Sequence, residues 1–541
     1  MHKISIACIL LIFSLNCNAQ QPAELQKLEQ VLNSITNIYL DTINEHKLVE
    51  QTIKTMFERL DPHTVYRNKD EAEEDRKKLT AHYTGIGIQF RMFNDSMTII
   101  KVKTNSPAEK AGIKPFTKID YIGRNKVSGH LLNYMDVHNI ILQNDEDSIV
   151  LGVIKDNNKV KSVTIFKDDI QNNSIESYYA PNDSTIYMRI TRFSQSTANE
   201  FNTIINSFNK KHRKNLILDL RDNPGGILSS CIEICDNFFA PNIMMLSARG
   251  QHMDDHSYFS TEKELLVNSR ICIIINEKSA SASEVIAGAV QDWDRGVIIG
   301  RRSYGKGLVQ QIINLNDGSQ IRITNSKYYT PAGRCIQKPY KPGNFDEYFN
   351  ELNNRRIIGE NLHEDKMIIN DSTVYESIIH HRKLYSKRGI SPDMFVPEDT
   401  VTLPDFWPNW IETGAIDNFV LTFINNNKFK MLKEYSKFST FNSRFGITEE
   451  ILEQLRSYCE TDTSKCQKVT TKEFNQNVQK PNTKELMKKQ IKSRFAYYIF
   501  DKNECRKILN INDKDYQSAL QLVNNPSEYY QYLSGKDSSS K

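Results

Sequence analysis

Three things are scarce in this chain, and each scarcity excludes a class of protein. Beyond the first residues there is no apolar run long enough to cross a bilayer as a helix. Net charge is small: a formal +4 over 541 residues gives no reason to expect a nucleic-acid partner. Cysteine is sparse, 9 in all, of which seven lie beyond Ala19. An odd, scattered set is not a disulfide framework. Cys231 and Cys235 sit four apart in a helical pattern, poor geometry for a bridge. Cys459 and Cys466 could bridge a loop. No Cys/His spacing matches a metal site, so no metal is expected. What remains, 39% hydrophobic and 25% charged residues, describes a soluble globular protein. Single cores stop growing near ~250–300 residues, so the chain must divide into several domains.

The first residues stand apart from the fold. His2 and Lys3 precede an apolar stretch, Ile4 to Leu15, of signal-peptide length. Asn16-Cys17-Asn18-Ala19 offers small residues for cleavage after Ala19. Residues 1–19 are therefore expected to be a secretory signal, which places the protein in the periplasm or cell envelope. Lipidation of Cys17 is the alternative and the one route to membrane association, although Asn16 is bulky for the position before it.

Residues 20–80 carry helical periodicity, interrupted at Asp61-Pro62 in "ERLDPHTVY". Residues 81–170 switch to short β runs, with a turn at Ser106-Pro107, a short helix ending at Gly112, the amphipathic helix "LLNYMDVHNIILQ" and a hairpin turning at Asp156-Asn157-Asn158. Residues 171–398 alternate strand and helix, the pattern of a layered α/β domain with a largely parallel sheet. Within them, His252 and His256 fall in a polar loop, and a β-hairpin turns at Asp317-Gly318. Residues 399–541 are Lys/Asn-rich and helical, with scattered aromatics, and end in a polar "DSSSK" tail.

Chemistry concentrates between Asn276 and Gly307. A buried strand, "RICIIIN", runs into "SASASE" and then an apolar helix. Ser281-Ala282-Ser283-Glu284 fits a capping box, which alone is a structural motif. Three serines are more than capping needs. A serine at a strand-to-helix turn is exposed, and the backbone N–H groups there can stabilise an oxyanion. The hydroxyl needs a base, and no His lies near in this segment. The standing candidate is Lys306 in "SYGKGLVQQ", provided that burial or nearby charge keeps its amine neutral; Arg301 and Arg302 are close in sequence. Asn223-Pro224-Gly225-Gly226 adds a turn where backbone can face a ligand.

Together, "DLRDNPGG", "SASASE", "AGAVQD", "GKGLVQQ" and "YYTPAGRCIQ" resemble the carboxyl-terminal processing (tail-specific) proteases in order and spacing, over about residues 55–397. The resemblance implies a multidomain α/β protein: N-terminal helices, a PDZ-like domain, a crotonase/ClpP-like layered protease core and a helical C-terminal region. It implies a serine endopeptidase with Ser281 as nucleophile, Lys306 as base and Gln310 positioning that base, and no cofactor. Backbone N–H groups of Ala282 and Gly225 would be the oxyanion donors. Gly85, Ile86, Gly87 and Ile88 in "TGIGIQF" resemble the PDZ loop that binds a peptide's terminal carboxylate. The expected partners are thus protein or peptide substrates with free, apolar C-termini. Where the family has K-P-G-D, this chain has Lys114-Pro115-Phe116-Thr117, which alters a turn. The rival expectation is a secreted PDZ scaffold on an inactive protease core, against which the intact Ser281, Lys306 and Gln310 argue.

Overall fold

The computed structural model describes residues 22–535 apart from 81, 94–95, 131, 133, 143–146, 156, 210–214, 264, 368–373, 387 and 462–465. Residues 1–19, expected to be a signal segment, and Cys17 among them lie outside the described residues.

Two helices, Ala23–Ile38 and Glu45–Phe57, open the chain and bury none of their residues. After them Asp61 stops the helical pattern by capping its own turn. Its carboxylate accepts from the N–H groups of His63 and Thr64. The chain then runs as a short strand, Val65–Arg67, onto Gln320–Tyr329 of the distant hairpin.

The β-rich segment folds around Met97, Ile99, Ile119, Ile122 and Leu151, all fully buried. Its sheet runs in the order Ile88–Phe93, Ser96–Val102, Thr117–Ile122, Ser148–Ile154, Val160–Phe166, so Ile88–Phe93 is an edge. The expected hairpin pairs Ile154 with Val160.

The central sheet orders Ile175–Tyr179, Thr185–Ile190, Asn215–Asp219, Ile271–Ile275, Val297–Gly300 and Met394–Phe395. All neighbours are parallel except the first pair. The strands are apolar on both faces, as a sheet covered on both sides requires. One face meets helices Thr197–Asn209, Leu228–Cys235 and Ala282–Asp292. The other face, with Tyr187, Ile217, Ile274 and Ile299, is covered by Tyr516, Ala519, Leu522 and Tyr529. The expected boundary at residue 398 therefore does not hold in packing. The last helices, Lys514–Asn524 and Pro526–Ser534, return to complete the α/β layer. Ion pairs fix them there: Arg221 reaches Asp513 and Asp515 at 2.8 and 3.0 Å.

Two further expectations are corrected. His256 lies in a strand, Met253–Phe259, that pairs with Met244–Gly250, where a polar loop was expected. Nearly all of that strand is exposed on both faces, so no alternating pattern marks it in the sequence. Cys459 and Cys466 form no disulfide; the Cys466 thiol donates to the Cys459 carbonyl. The scattered aromatics of the C-terminal region gather into their own core, in which Trp407, Trp410, Phe441 and Phe495 are fully buried.

Candidate active site

Strand Ile271–Ile275 ends in a turn whose three serines have different surroundings. Ser279 and Ser283 are fully buried. Ser279 Oγ donates to the Leu220 carbonyl at 2.8 Å and Ser283 Oγ to the Asn223 carbonyl at 3.0 Å. They bind the serine turn to the Asn223–Gly226 turn. Ser281 is only half-buried and holds φ 55, ψ −116, a conformation costly for a residue with a side chain. It stands at the N-cap of helix Ala282–Asp292. The outer serines build the turn and the middle one is presented by it.

Glu284 is the residue whose importance the sequence concealed. It caps the helix as expected, accepting from Ser281 N–H at 2.8 Å. The same Oε2 accepts from Lys306 N–H at 2.8 Å. Its Oε1 accepts from Ser303 Oγ at 2.5 Å and Gly305 N–H at 2.6 Å. One fully buried carboxylate thus clamps the serine turn to the lysine loop. Burial pushes this carboxyl up from its ordinary value, and the hydrogen bonds from Ser303, Lys306, Gly305 and Ser281 oppose that push.

Lys306 Nζ donates to Gln310 Oε1 at 3.1 Å. Gln310 Nε2 in turn donates to the His63 carbonyl, so the N-terminal segment reaches the site. Among the described residues no hydrogen bond joins Lys306 to Ser281 Oγ. Burial lowers the Lys306 amine from the ordinary lysine value; Arg322 adds to that, while Glu284 and Asp61 act against it. The cation concerned is therefore Arg322, not the expected Arg301 or Arg302. Those two are held by carboxylates, Arg301 by Asp515 at 3.1 Å and Arg302 by Glu360 at 2.7 Å. His63 is lowered to about 3, first by burial and then by Lys306. It is neutral, and its Nε2 meets Tyr348 OH at 2.7 Å. A second lysine near this wall, Lys338, is lowered to about 8 by burial and sits 3.9 Å over the Tyr304 ring.

The expected oxyanion donors divide. Ala282 N–H makes no hydrogen bond among the described residues. Gly225 stands where a Cβ would lie 2.8 Å from Ser281 Cβ and 2.9 Å from the Ala280 carbonyl, at φ +97, so only glycine fits. Its N–H, however, donates to Asn223 Oδ1 at 2.9 Å and is not free to receive an oxyanion in this structure. Two of the recognised motifs meet behind the helix: Arg334 of "YYTPAGRCIQ" pairs with Asp292 of "AGAVQD" at 2.5 Å. Far from these groups, Gly85, Ile86, Gly87 and Ile88 line a cavity beside the edge strand Ile88–Phe93. Ile86 and Gly87 carbonyls are tied back to Ala108 and Lys103 N–H. Among the described residues no group of His, Cys, Asp or Glu is placed to hold a metal ion.

Residues 184–343 match peptidase family S41. Residues 14–71 match the activating protease CtpB N-terminal domain, and residues 408–501 a family of unknown function. A "Carboxy-terminal-processing protease" of Bartonella bacilliformis is 30% identical over 62% of this chain and 78% of its own length. The "Carboxy-terminal processing protease CtpB" of Bacillus subtilis is 31% identical over 59% of this chain and 67% of its own length. The chain belongs to peptidase family S41. A "Probable CtpA-like serine protease" of Staphylococcus epidermidis is 29% identical over 59% of this chain, which spans 64% of that protein's length.

Proposed function

We propose that this protein is an exported serine endopeptidase that uses a Ser281/Lys306 dyad and captures the free C-terminus of its protein substrates on a PDZ-like β domain. The observation that carries the proposal is the shared carboxylate: Ser281 N–H and Lys306 N–H end on the same oxygen of Glu284. A serine on a strained turn and a desolvated lysine are thereby held on either side of one anchor. The names of the relatives, carboxy-terminal processing proteases, support the reading.

A tail with an apolar end docks beside Gly85, Ile86, Gly87 and Ile88 as an added strand on Ile88–Phe93. The upstream chain reaches Ser281. Neutral Lys306 leaves Gln310, takes the hydroxyl proton, and Ser281 Oγ attacks the carbonyl. Lys306 then gives that proton to the leaving amine. The C–N bond breaks, an acyl-enzyme remains, and water releases it. Ala282 N–H is the oxyanion donor available as folded, and Gly225 N–H joins it on release from Asn223 Oδ1. Tail docking supplies that rearrangement, so the groove gates the dyad. The apolar run Ile4 to Leu15 supports export.

The test compares residues 20–541 with Ser281→Ala and Lys306→Ala on an unfolded protein whose apolar C-terminus is free or amidated. The parent should cut, amidation should slow it, and both variants should be folded and inactive. Equal cutting by all three proteins would remove the dyad. Tail binding without cutting by any of them would put the scaffold reading first.

A further inference from the structure

The groove beside Ile88–Phe93 has a second wall that belongs to another part of the chain. Among the described residues this strand pairs only with Ser96–Val102, so its other edge can accept a strand. The cavity along that edge measures about 720 Å³. On one side stand His138 and Ile141 of helix Tyr134–Leu142. On the other stand Asp417, Arg494, Tyr497 and Tyr498 of the C-terminal helical region.

That wall is fastened to the β domain. Tyr497 OH donates to Gln89 Oε1 at 3.1 Å, and Lys101 Nζ lies 3.5 Å over the Tyr497 ring. Ile100 leaves its own domain's core and joins the Trp407/Trp410 cluster. Phe116, standing where the resembled family has glycine, keeps φ 64 and packs against the same cluster. A phenylalanine in that conformation is strained, and its contact with the helical region offsets the cost.

The wall is also charged in a particular way. Asp417 stands between Arg91 at 3.7 Å and Arg494 at 3.6 Å. Two guanidiniums share one carboxylate, and neither pair closes to a hydrogen bond. Each cation keeps donors for a second anion. A strand added to this edge turns alternate side chains to opposite walls.

We propose that the C-terminal helical region completes the tail-binding groove and selects tails carrying an acidic side chain upstream of an apolar terminal residue. The apolar residue faces Ile88 and Ile141, and the acidic one faces Arg494 and Arg91. The inference rests on the tail-recognition reading above and adds the class of tail.

The experiment uses the full chain carrying Ser281→Ala, so that bound peptide is not cut, and labelled unstructured peptides read by fluorescence anisotropy. The peptides end in the same apolar residue and carry glutamate or glutamine at alternate upstream positions, with the glutamate peptide also made as an amide. The acidic free tail should bind more tightly than the neutral one. Arg494→Ala should weaken the acidic tail about tenfold and the neutral tail far less. Arg494→Gln, which preserves most of the side chain's length, should do the same without loss of folding, checked by thermal melting. If both peptides lose affinity equally, or neither loses any, the second wall is overturned while tail recognition stands. If free and amidated peptides bind the parent equally, tail recognition itself fails, and the wall with it.

Discussion

The serine turn and the lysine loop face each other across Glu284, but they are held by different means. Around Ser281, every anchoring contact comes from the α/β layer: Ser279 to Leu220, Ser283 to Asn223, and Gly225 pressed against Ser281 and Ala280. Around Lys306 the supports come from far apart in the chain. Gln310 holds the amine, the His63 carbonyl holds Gln310, and Arg322 and Asp61 set the field. A nucleophile on a strained turn needs rigid local packing. The proposed base, which would give up one hydrogen bond to form another, is better held by a few polar contacts. The first half of the site is a property of one layer; the second reports whether several segments are assembled.

The widest break of this comparison is a chain ending at residue 400. It strips the cover from the sheet face bearing Ile217 and Ile274, and neither half should form; circular dichroism and the cleavage assay would show no cooperative fold and no activity. Next is Ser281→Ala, which should lower kcat/KM by about ten-thousand-fold with melting unchanged. Glu284→Ala removes the clamp and leaves up to four donors unpaired. It should cost about 3 kcal/mol or more in denaturant unfolding of the core, and a loss below about 1 kcal/mol would show that the two loops stand independently. Gln310→Ala touches the lysine side alone. It should lower kcat about tenfold while leaving stability within about 1 kcal/mol.

The smallest expected effect is the most specific. In the proposed dyad Lys306 must be neutral to accept a proton, so the rate should rise with pH through its lowered pKa and level off below the ordinary lysine range. Arg322→Gln removes a cation that disfavours the charged amine. Its pKa should rise, and the rising limb of the pH–rate profile should move to higher pH. A limb that stays in place would assign the lowering to burial alone.

The two halves also differ in how legible they are. Ser281, Lys306 and Gln310 stand in short motifs, and strand, turn and helix around them follow from periodicity. Glu284 is visible only as a cap, because nothing local says that its second partner lies twenty-two residues on. His63 and Asp61 are invisible as site residues. Their segment reads as a helix break, and its contact with Gln310 spans 247 residues. Arg301 and Arg302 mislead for the converse reason. They neighbour Lys306 in sequence, but their guanidiniums are committed to Asp515 and Glu360. The groove's second wall is hidden in the same way, since only Phe116 in place of glycine signals that something else must pack there.

The cover supplied by Lys514–Asn524 and Pro526–Ser534 also sets a clock. Tyr529 OH bonds both the N–H and the carbonyl of Ile271, at the start of the strand that delivers the serine turn. During synthesis that strand emerges long before its cover does. At about 5–20 residues per second, translation needs roughly 10–50 s to go from Ser281 to Leu533. Over that interval the strand that leads into the serine turn lacks the cover against which it packs in the finished layer.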